Sequence, residues 1–436
     1  MTNVLFLVME FPPVSTTGNY RTLKFVKYLQ EFGINPVVVT LTEESGAEIF
    51  HFNTNTELLK EIPESVKVIR VSAKGTDKYY SNRLRSFLTI YFSVKDIIAK
   101  VWKPILDIHI EHIIKENNIN LIFTSLPPFS CGMLAVNYSR KYNLPLIIDM
   151  RDHWSQWGVS SFNSRVHYYL TYNTENKIFK NATAVIGVTP QLVNSFKESH
   201  KNVDSAKFNL LSNGFECDSA QIPDIYVAKL EHKDIFRIAY IGYFYYSPEA
   251  HENNFMKWWK RKKWHHKLHY TPQKEDWKYR SPYFFLKTLR TLFDKYPQYR
   301  NRVRFDYIGK KPDWLQGMLA EFGLENNFFD HGYLPQNETL RLQHSFDAFL
   351  ATSEKVINGE HYCLPSKIFD FIDKGKPIIG FLTKGISSDF LKSSNLGFIC
   401  DPDNEEKSAL KLKEIIDGYY TLVPNREYLK KFERRE

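Results

Sequence analysis

Apolar residues fall along this chain in short solid runs, not in strict alternation with polar ones. Residues 3–9 (NVLFLVM) are followed by a Gly-containing loop from Pro12 to Gly18 and by a stretch of helical period, YRTLKFVKYLQEFG, closed by Gly33. A second run, NPVVVTL, comes next. Runs of strand length without polar alternation suit strands buried on both faces, and the order strand, loop, helix, strand predicts a parallel βαβ unit. NLIFTS, LPLIIDM and ATAVIGV continue the alternation with helical segments up to about residue 215. A new series opens at FRIAYIGYF (236–244) and runs through VRFDYIGKK, NNFFDHGYL, FDAFLATS, KPIIGFL and LGFICD. Between the two, LLSNGFECDSAQIPD is polar, aperiodic and carries an Asn-Gly turn, which places a linker near 214–230.

The pattern therefore predicts an α/β chain with two Rossmann-like β/α/β domains, 1–220 and 221–415, and a C-terminal helix over 416–436 packing back on the first domain. Ligands of open α/β sheets bind at the carboxyl ends of the strands, so the functional site is expected where the two domains face each other across a cleft. A length of 436 residues, 43% apolar and 15% aromatic, agrees with more than one core. The stretch 86–102, SFLTIYFSVKDIIAKVW, is interrupted by Lys95, Asp96 and Lys100. It falls short of the roughly 20 clean residues of a membrane span. The N-terminal run reads as a first strand and not a leader, which suits a cytoplasmic protein; a station at the inner face of the cell membrane would come from the basic and aromatic segments described next. Cys131, Cys217, Cys363 and Cys400 are too scattered for a zinc site or a disulfide framework.

The net charge of +9 is local: residues 245–280 hold nine Lys/Arg against four Asp/Glu, and four of the eight tryptophans. A second basic and aromatic segment, 78–103, includes Arg83, Arg85, Phe87, Tyr91 and Phe92. Tryptophan among lysines suits a peripheral membrane contact through 78–103 and 245–279. It also suits single-stranded nucleic acid or a loop packed on its own domain. With no nucleic-acid-binding motif, a nucleic-acid partner is not expected.

Residues 361–380, HYCLPSKIFDFIDKGKPIIG, concentrate the candidate chemistry. Ser366 suits an N-cap, Pro365 fixes the entry, Ile368, Phe369 and Ile372 form an apolar stripe, and Gly375 ends the helix. Capping alone does not call for Lys367 and Asp370. Amides at 366–368 and the positive end of the helix dipole suit a phosphate, Lys367 adds charge, and Asp370 on the same face suits ribose hydroxyls. On these residues alone, a capped helix and a nucleotide site both stand.

The segment YCLPSKIFDFIDKGKPIIG resembles the nucleotide-binding stretch of family 4 glycosyltransferases of the GT-B fold, in which Pro-Ser-Lys-hydrophobic-aromatic-Glu precedes Gly-Lys/Arg-Pro. FPPVSTTGNYRTLKFVKYLQEFG is similar to their opening glycine loop and helix, and SLPPFSCGMLAVNYSRKYNLPLIIDMRDHW to their stretch ending Asp-x-Arg-Asp-x-Trp. TENKIFKNATAVIGVTPQL, LLSNGFE and YIGKKPDWLQGMLAEFGLENNFFDHGYLPQNE are similar to further segments in the same order. The family's motif has two glutamates eight apart. Here Asp370 replaces the second, Tyr362 stands where the first would be, and Glu360 is the neighbouring carboxylate. His153 takes the place of the usual Pro or Leu after Arg-Asp.

The resemblance implies a retaining, metal-independent transferase without cofactor, moving a sugar from a nucleotide-sugar donor to a glycan or lipid-linked acceptor in cell-surface polysaccharide or glycolipid synthesis. Such a reaction leaves negative charge on the departing phosphate, which fixed cations and amides can stabilise. The resemblance implies Arg280, Ser366, Lys367 and Lys310 or Lys311 as phosphate holders, with Gly242, Glu360, Leu364, Pro365 and Asp370 on the donor. It also implies that Gly18 and Asn19 approach the β-phosphate with Arg21 assisting, and that Arg151, Asp152 and His153 face the acceptor. Asp152 or His153 would orient or deprotonate the acceptor hydroxyl. A front-face route, in which the leaving phosphate takes the acceptor proton, needs no protein nucleophile. Asp401-Pro402-Asp403 looks like a metal-binding D-x-D but follows a late strand as a turn and is assigned no metal. A sugar-nucleotide epimerase on the same scaffold and a basic nucleic-acid-binding protein are the alternatives.

Overall fold

The computed structural model describes the chain apart from residues 1, 15, 51–53, 74–81, 95, 97, 159–160, 218–220, 229–234, 262–263, 419 and 435–436. The start of the basic segment at 78–81 therefore lies outside the described residues. The chain divides into two compact units, Met1–Asn213 with Trp258–Pro272, and Gly214–Lys257 with Gln273–Glu436.

The first unit is built on β1 (Thr2–Leu7), β2 (Ile34–Leu41), β3 (Lys67–Val71), β4 (Leu121–Leu126), β5 (Leu146–Met150), β6 (Ala184–Gly187) and β7 (Phe208–Leu210). These pair in parallel in the order β3-β2-β1-β4-β5-β6-β7. The five apolar runs of the first half supply its centre. The two edge strands, β3 and β7, are less buried than the central ones, which is why hydrophobicity alone does not announce them. The helix Thr17–Tyr28 starts where the Thr16 hydroxyl accepts from the Asn19 amide. Gly33, at φ 75°, turns the chain into β2 in a conformation that favours glycine.

The second unit carries β8 (Tyr226–Ala228), β9 (Phe236–Ile241), β10 (Glu275–Asp276), β11 (Val303–Ile308), β12 (Phe328–Asp330), β13 (Ala348–Thr352), β14 (Lys355–Val356), β15 (Ile378–Phe381), β16 (Gly397–Cys400) and β17 (Tyr420–Leu422). Six of these form a parallel sheet in the order β12-β11-β9-β13-β15-β16, matching all six apolar runs of the second half. Along β13, Ala348 and Leu350 join one core and Phe349 and Ala351 the other, so each face of the sheet is packed and the strand is apolar throughout. The fold class is thus mixed α/β with two parallel, doubly wound sheets. The remaining strands make two antiparallel pairs, β8 with β17 and β10 with β14.

The C-terminal segment, expected against the first domain, lies in the second unit: Phe432 packs on Phe390 and Phe369 at centroid distances of 5.1 and 5.8 Å. The basic insertion is divided. Pro248–Phe255 and the stretch from Gln273 onward are in the second unit, whereas 258–272 belongs to the first, where Tyr270 and Phe162 exchange backbone hydrogen bonds of 2.8 and 2.9 Å. Among the described residues, no helix is long and apolar enough to cross a membrane.

Candidate functional site

In the second unit the carboxyl ends of β9 and β11 are drawn together by glycines. Gly242 has φ +123° and a Cβ there would lie 1.3 Å from Lys367 Nζ; Gly309 has φ +152° and its Cβ would lie 2.3 Å from the Gly242 carbonyl oxygen. Only glycine fits both the backbone conformation and the space. The Lys367 ammonium takes the place left by the missing side chain and donates to the Ile241 carbonyl at 2.7 Å. Burial pushes its pKa down to about 8, with Asp370 acting in the opposite direction. Lys367 is thus a cation held in a partly dry place above a strand end, only partly compensated by the protein.

The helix expected around it is shorter than its sequence pattern predicts. One turn, Lys367–Asp370, is followed by a 3-10 turn, Ile372–Lys374, and by Gly375 at φ 63°. Ser366 is exposed and helical and makes no capping bond through its side chain, so the expected N-cap is not formed. The Ile368 amide is spent on the Pro365 carbonyl at 3.1 Å, leaving the expected amide cradle to Ser366 and Lys367. Leu364 is buried with Ile368 in the core beneath, and Asp370 is exposed.

Arg280 ends the 3-10 turn Trp277–Arg280 and is fixed by a salt bridge from Nε to Glu354 Oε2 at 2.7 Å and by the Trp277 ring at 5.4 Å. Within the described residues this is its only side-chain hydrogen bond, so both Nη groups stay open to a ligand anion. Glu354 is buried at the end of β13 and also meets His361 Nδ1 at 2.6 Å, while His361 Nε2 meets Ser387 Oγ at 2.9 Å. Burial would raise the Glu354 carboxyl, but Arg280 and His361 outweigh it and hold the group well below the usual carboxylate range. A second buried carboxylate, Glu275, accepts from the Tyr362 hydroxyl at 3.0 Å and from Trp277 Nε1 at 3.1 Å. Burial first and Glu354 second raise its pKa. Sequence reasoning passed over both glutamates, although a charge directly after the apolar run FDAFLATS was a signal for Glu354.

Glu360 is half-exposed and paired with Lys384 at 2.7 Å. Lys311 reaches Asp330 at 3.4 Å, and the exposed Lys310 presents its carbonyl to the Tyr307 hydroxyl at 3.0 Å. In the D-x-D turn, Asp403 pairs with Lys355 at 2.6 Å.

In the first unit, Arg151 follows β5 and lies against Gly18, where a Cβ would sit 1.3 Å from its Nη1. Arg151 donates from Nε to the Leu126 carbonyl at 3.2 Å, also from Nη2 to that of Pro127, and lies 3.7 Å from Glu10 Oε2. Glu10, which also accepts from the Thr16 hydroxyl at 2.9 Å, has its pKa raised by burial against the pull of Arg151. Asn19 is buried and donates to the Val14 carbonyl. Gly18, Asn19 and Arg151 thus share one strand-end cluster with Glu10, the residue directly after the first apolar run.

Two candidates have other occupations. Arg21 is buried and gives its guanidinium wholly to the protein: Nε and Nη2 to Asp149, Nη2 to the Leu211 carbonyl at 2.8 Å, and Nη1 to the Ser212 carbonyl and Asn213 Oδ1, both at 3.1 Å. It ties the first helix to the end of the unit. His153 is buried, with Nε2 2.9 Å from Ser195 Oγ and its ring edge-on to Phe196. Burial lowers its pKa to about 4, so it is neutral at physiological pH and turned into the core. Asp152, partly exposed beside it, is the more accessible of the two.

A pH dependence follows from Lys367. Any dianionic diphosphate bound there should hold the ammonium protonated, so affinity is expected to fall roughly tenfold between pH 7 and pH 9, as the unliganded group loses its proton through about 8. The stability of the unliganded protein should move the opposite way, because the penalty for the charged form is full below about 8 and is relieved toward 10.5. Titration calorimetry of a nucleoside diphosphate in buffers of different ionisation enthalpy measures the proton uptake; a flat affinity from pH 7 to 9 would remove Lys367 from the site.

No family model matches this sequence, and no curated protein matches it. Solved structures do. HepE of Anabaena, solved in complex with UDP, is 12% identical with a TM-score of 0.58, the match covering all of this chain and 96% of that one. Sucrose-phosphate synthase of Thermosynechococcus elongatus is 12% identical with a TM-score of 0.54 over 99% of this chain and 92% of its own. The lipopolysaccharide outer core galactosyltransferase WaaB is 13% identical with a TM-score of 0.55, covering 99% and 96%. At such identities the likeness speaks for architecture, and it runs through both units. The chain has the GT-B fold, two Rossmann-like domains in succession, that glycosyltransferases among these structures share.

Proposed function

We propose that this protein is a glycosyltransferase that takes a sugar from a nucleotide-sugar donor held in its second unit and passes it to a hydroxyl of a glycan or lipid-linked acceptor, in cell-surface polysaccharide or glycolipid synthesis. The observation that carries the reading is the Lys367 ammonium seated over Gly242, in a unit where Arg280 is braced by Glu354 with its Nη groups open. As the sugar–phosphate bond breaks, negative charge grows on the departing diphosphate, and pre-placed cations in a partly dry site lower its energy without reorganising. HepE was solved with UDP, which makes uridine nucleotides the first probes to try.

We assign the reaction retention of configuration and independence from metal. Two fixed cations can meet the developing charge, and the acceptor proton can leave with the phosphate. With His153 turned into the core, Asp152 is the residue assigned to orient the acceptor. Thermal unfolding against a panel of UDP-, GDP- and other nucleotide sugars tests the donor half. A ligand at 100 times its Kd stabilises by about 2.7 kcal/mol, so one nucleotide should stand out clearly. A panel with no selective rise in Tm refutes the proposal.

A further inference from the structure

We infer that the first unit carries a docking surface for an anionic lipid bilayer, assembled from three segments far apart in sequence. Helix Arg83–Phe92 turns Leu84, Phe87, Leu88, Ile90 and Phe92 to solvent, with Leu84 70% exposed. The helix Arg165–Asn181 packs beside it and exposes Val166, Tyr169 and Leu170 in its first turns. From the insertion, Trp258 and Trp259 are 58% and 55% exposed, and Leu268 is also exposed. Large apolar side chains gathered in this way mark an interaction site, not ordinary surface.

Consecutive residues hold the three segments side by side. Phe162 pairs through its backbone with Tyr270, and Ser161 Oγ lies 2.9 Å from Thr271 Oγ1. Asn163 Nδ2 donates to the Ile90 carbonyl at 3.0 Å and Ser164 Oγ to that of Tyr91 at 3.3 Å, while Ser164 caps the helix that follows. Tyr270 packs on Tyr168 at 4.8 Å and lies under the Arg165 guanidinium at 5.5 Å.

Charge selects the occupant. Residues 83–92, 165–170 and 258–272 contain no Asp or Glu, whereas Arg83, Arg165, Lys260, Arg261 and Lys267 are among their basic residues. A face that is apolar and of one positive sign complements a bilayer whose headgroups are anionic, with rings and aliphatic chains at headgroup depth and basic groups on the phosphates. A second copy of the chain would repel it. Single-stranded nucleic acid would call for stacking rings without the exposed Leu84, Leu88, Ile90, Leu170 and Leu268. This inference stands apart from the glycosyl-transfer reading and survives its failure.

Sedimentation of the full chain with phosphatidylglycerol-containing vesicles, against pure phosphatidylcholine vesicles, is the test. Binding is expected to the anionic vesicles, weakened at least about tenfold both by W258S/W259S and by F87S/L88S, with unfolding curves unchanged. Hydrogen exchange of the unmodified protein should show vesicles protecting 83–92 and 258–268 together. Equal binding to both vesicle types, protection of one segment without the other, a dimer buried through this face, or an oligonucleotide that binds here while vesicles do not would each overturn the inference.

Discussion

Lys367→Ala should fold as stably as the parent and lose its response to nucleoside diphosphates. The ammonium sits partly desolvated over Gly242 with its pKa lowered to about 8, so the folded chain gains little from it. Its removal is expected to change unfolding free energy by less than about 1 kcal/mol. Binding is another matter. Truncating one partner of a desolvated charge pair costs about 2–5 kcal/mol, so UDP affinity should fall at least about thirtyfold. Arg280→Ala should lose the same response but also lose stability, because it leaves Glu354 buried with His361 as its remaining partner. Calorimetry of UDP binding beside chemical unfolding of each variant separates the two effects. Full UDP affinity in both would place the donor elsewhere.

The second large effect concerns stability alone. Asp149→Ala should cost about 3–5 kcal/mol, because Arg21 would keep a buried charge with no carboxylate to meet it. The pair is fixed by Nη2 to Oδ1 at 2.8 Å, with Ser125 Oγ on Oδ2 at 2.6 Å, and Asp149 is wholly buried. The double variant Arg21→Met/Asp149→Leu removes both charges and should recover most of the loss. Urea unfolding measures both. If the single variant matched the parent, Arg21 would not be the structural tie assigned to it, and its return to the donor site would have to be reconsidered.

That reassignment shows what local sequence could and could not carry. The glycine loop, the helix after it and the strand IIDM were legible, because turn residues, caps and apolar runs are decided within a few residues. Arg21 in the first turn of a phosphate-facing helix read as a phosphate ligand. Its true partners, Asp149, the carbonyls of Leu211 and Ser212 and the side chain of Asn213, lie 128 to 192 residues away along the chain. His153 followed a strand end and so looked accessible, yet the helix Pro190–Ser199 covers it with Ser195 and Phe196. Gly242 and Lys367, by contrast, were both singled out from motifs, and the structure adds that one makes room for the other.

The sequence by itself determined the two parallel α/β sheets, since strands covered on both faces must be apolar throughout and leave that mark whatever their neighbours are. Tertiary structure alone decided which polar side chains are consumed by the protein and which stay open, and that 258–272 joins the first unit. Those outcomes rest on pairings between residues whose separation along the chain leaves no periodic trace, and on burial that sets the charge state of Lys367 and His153 only once the surrounding elements have closed over them.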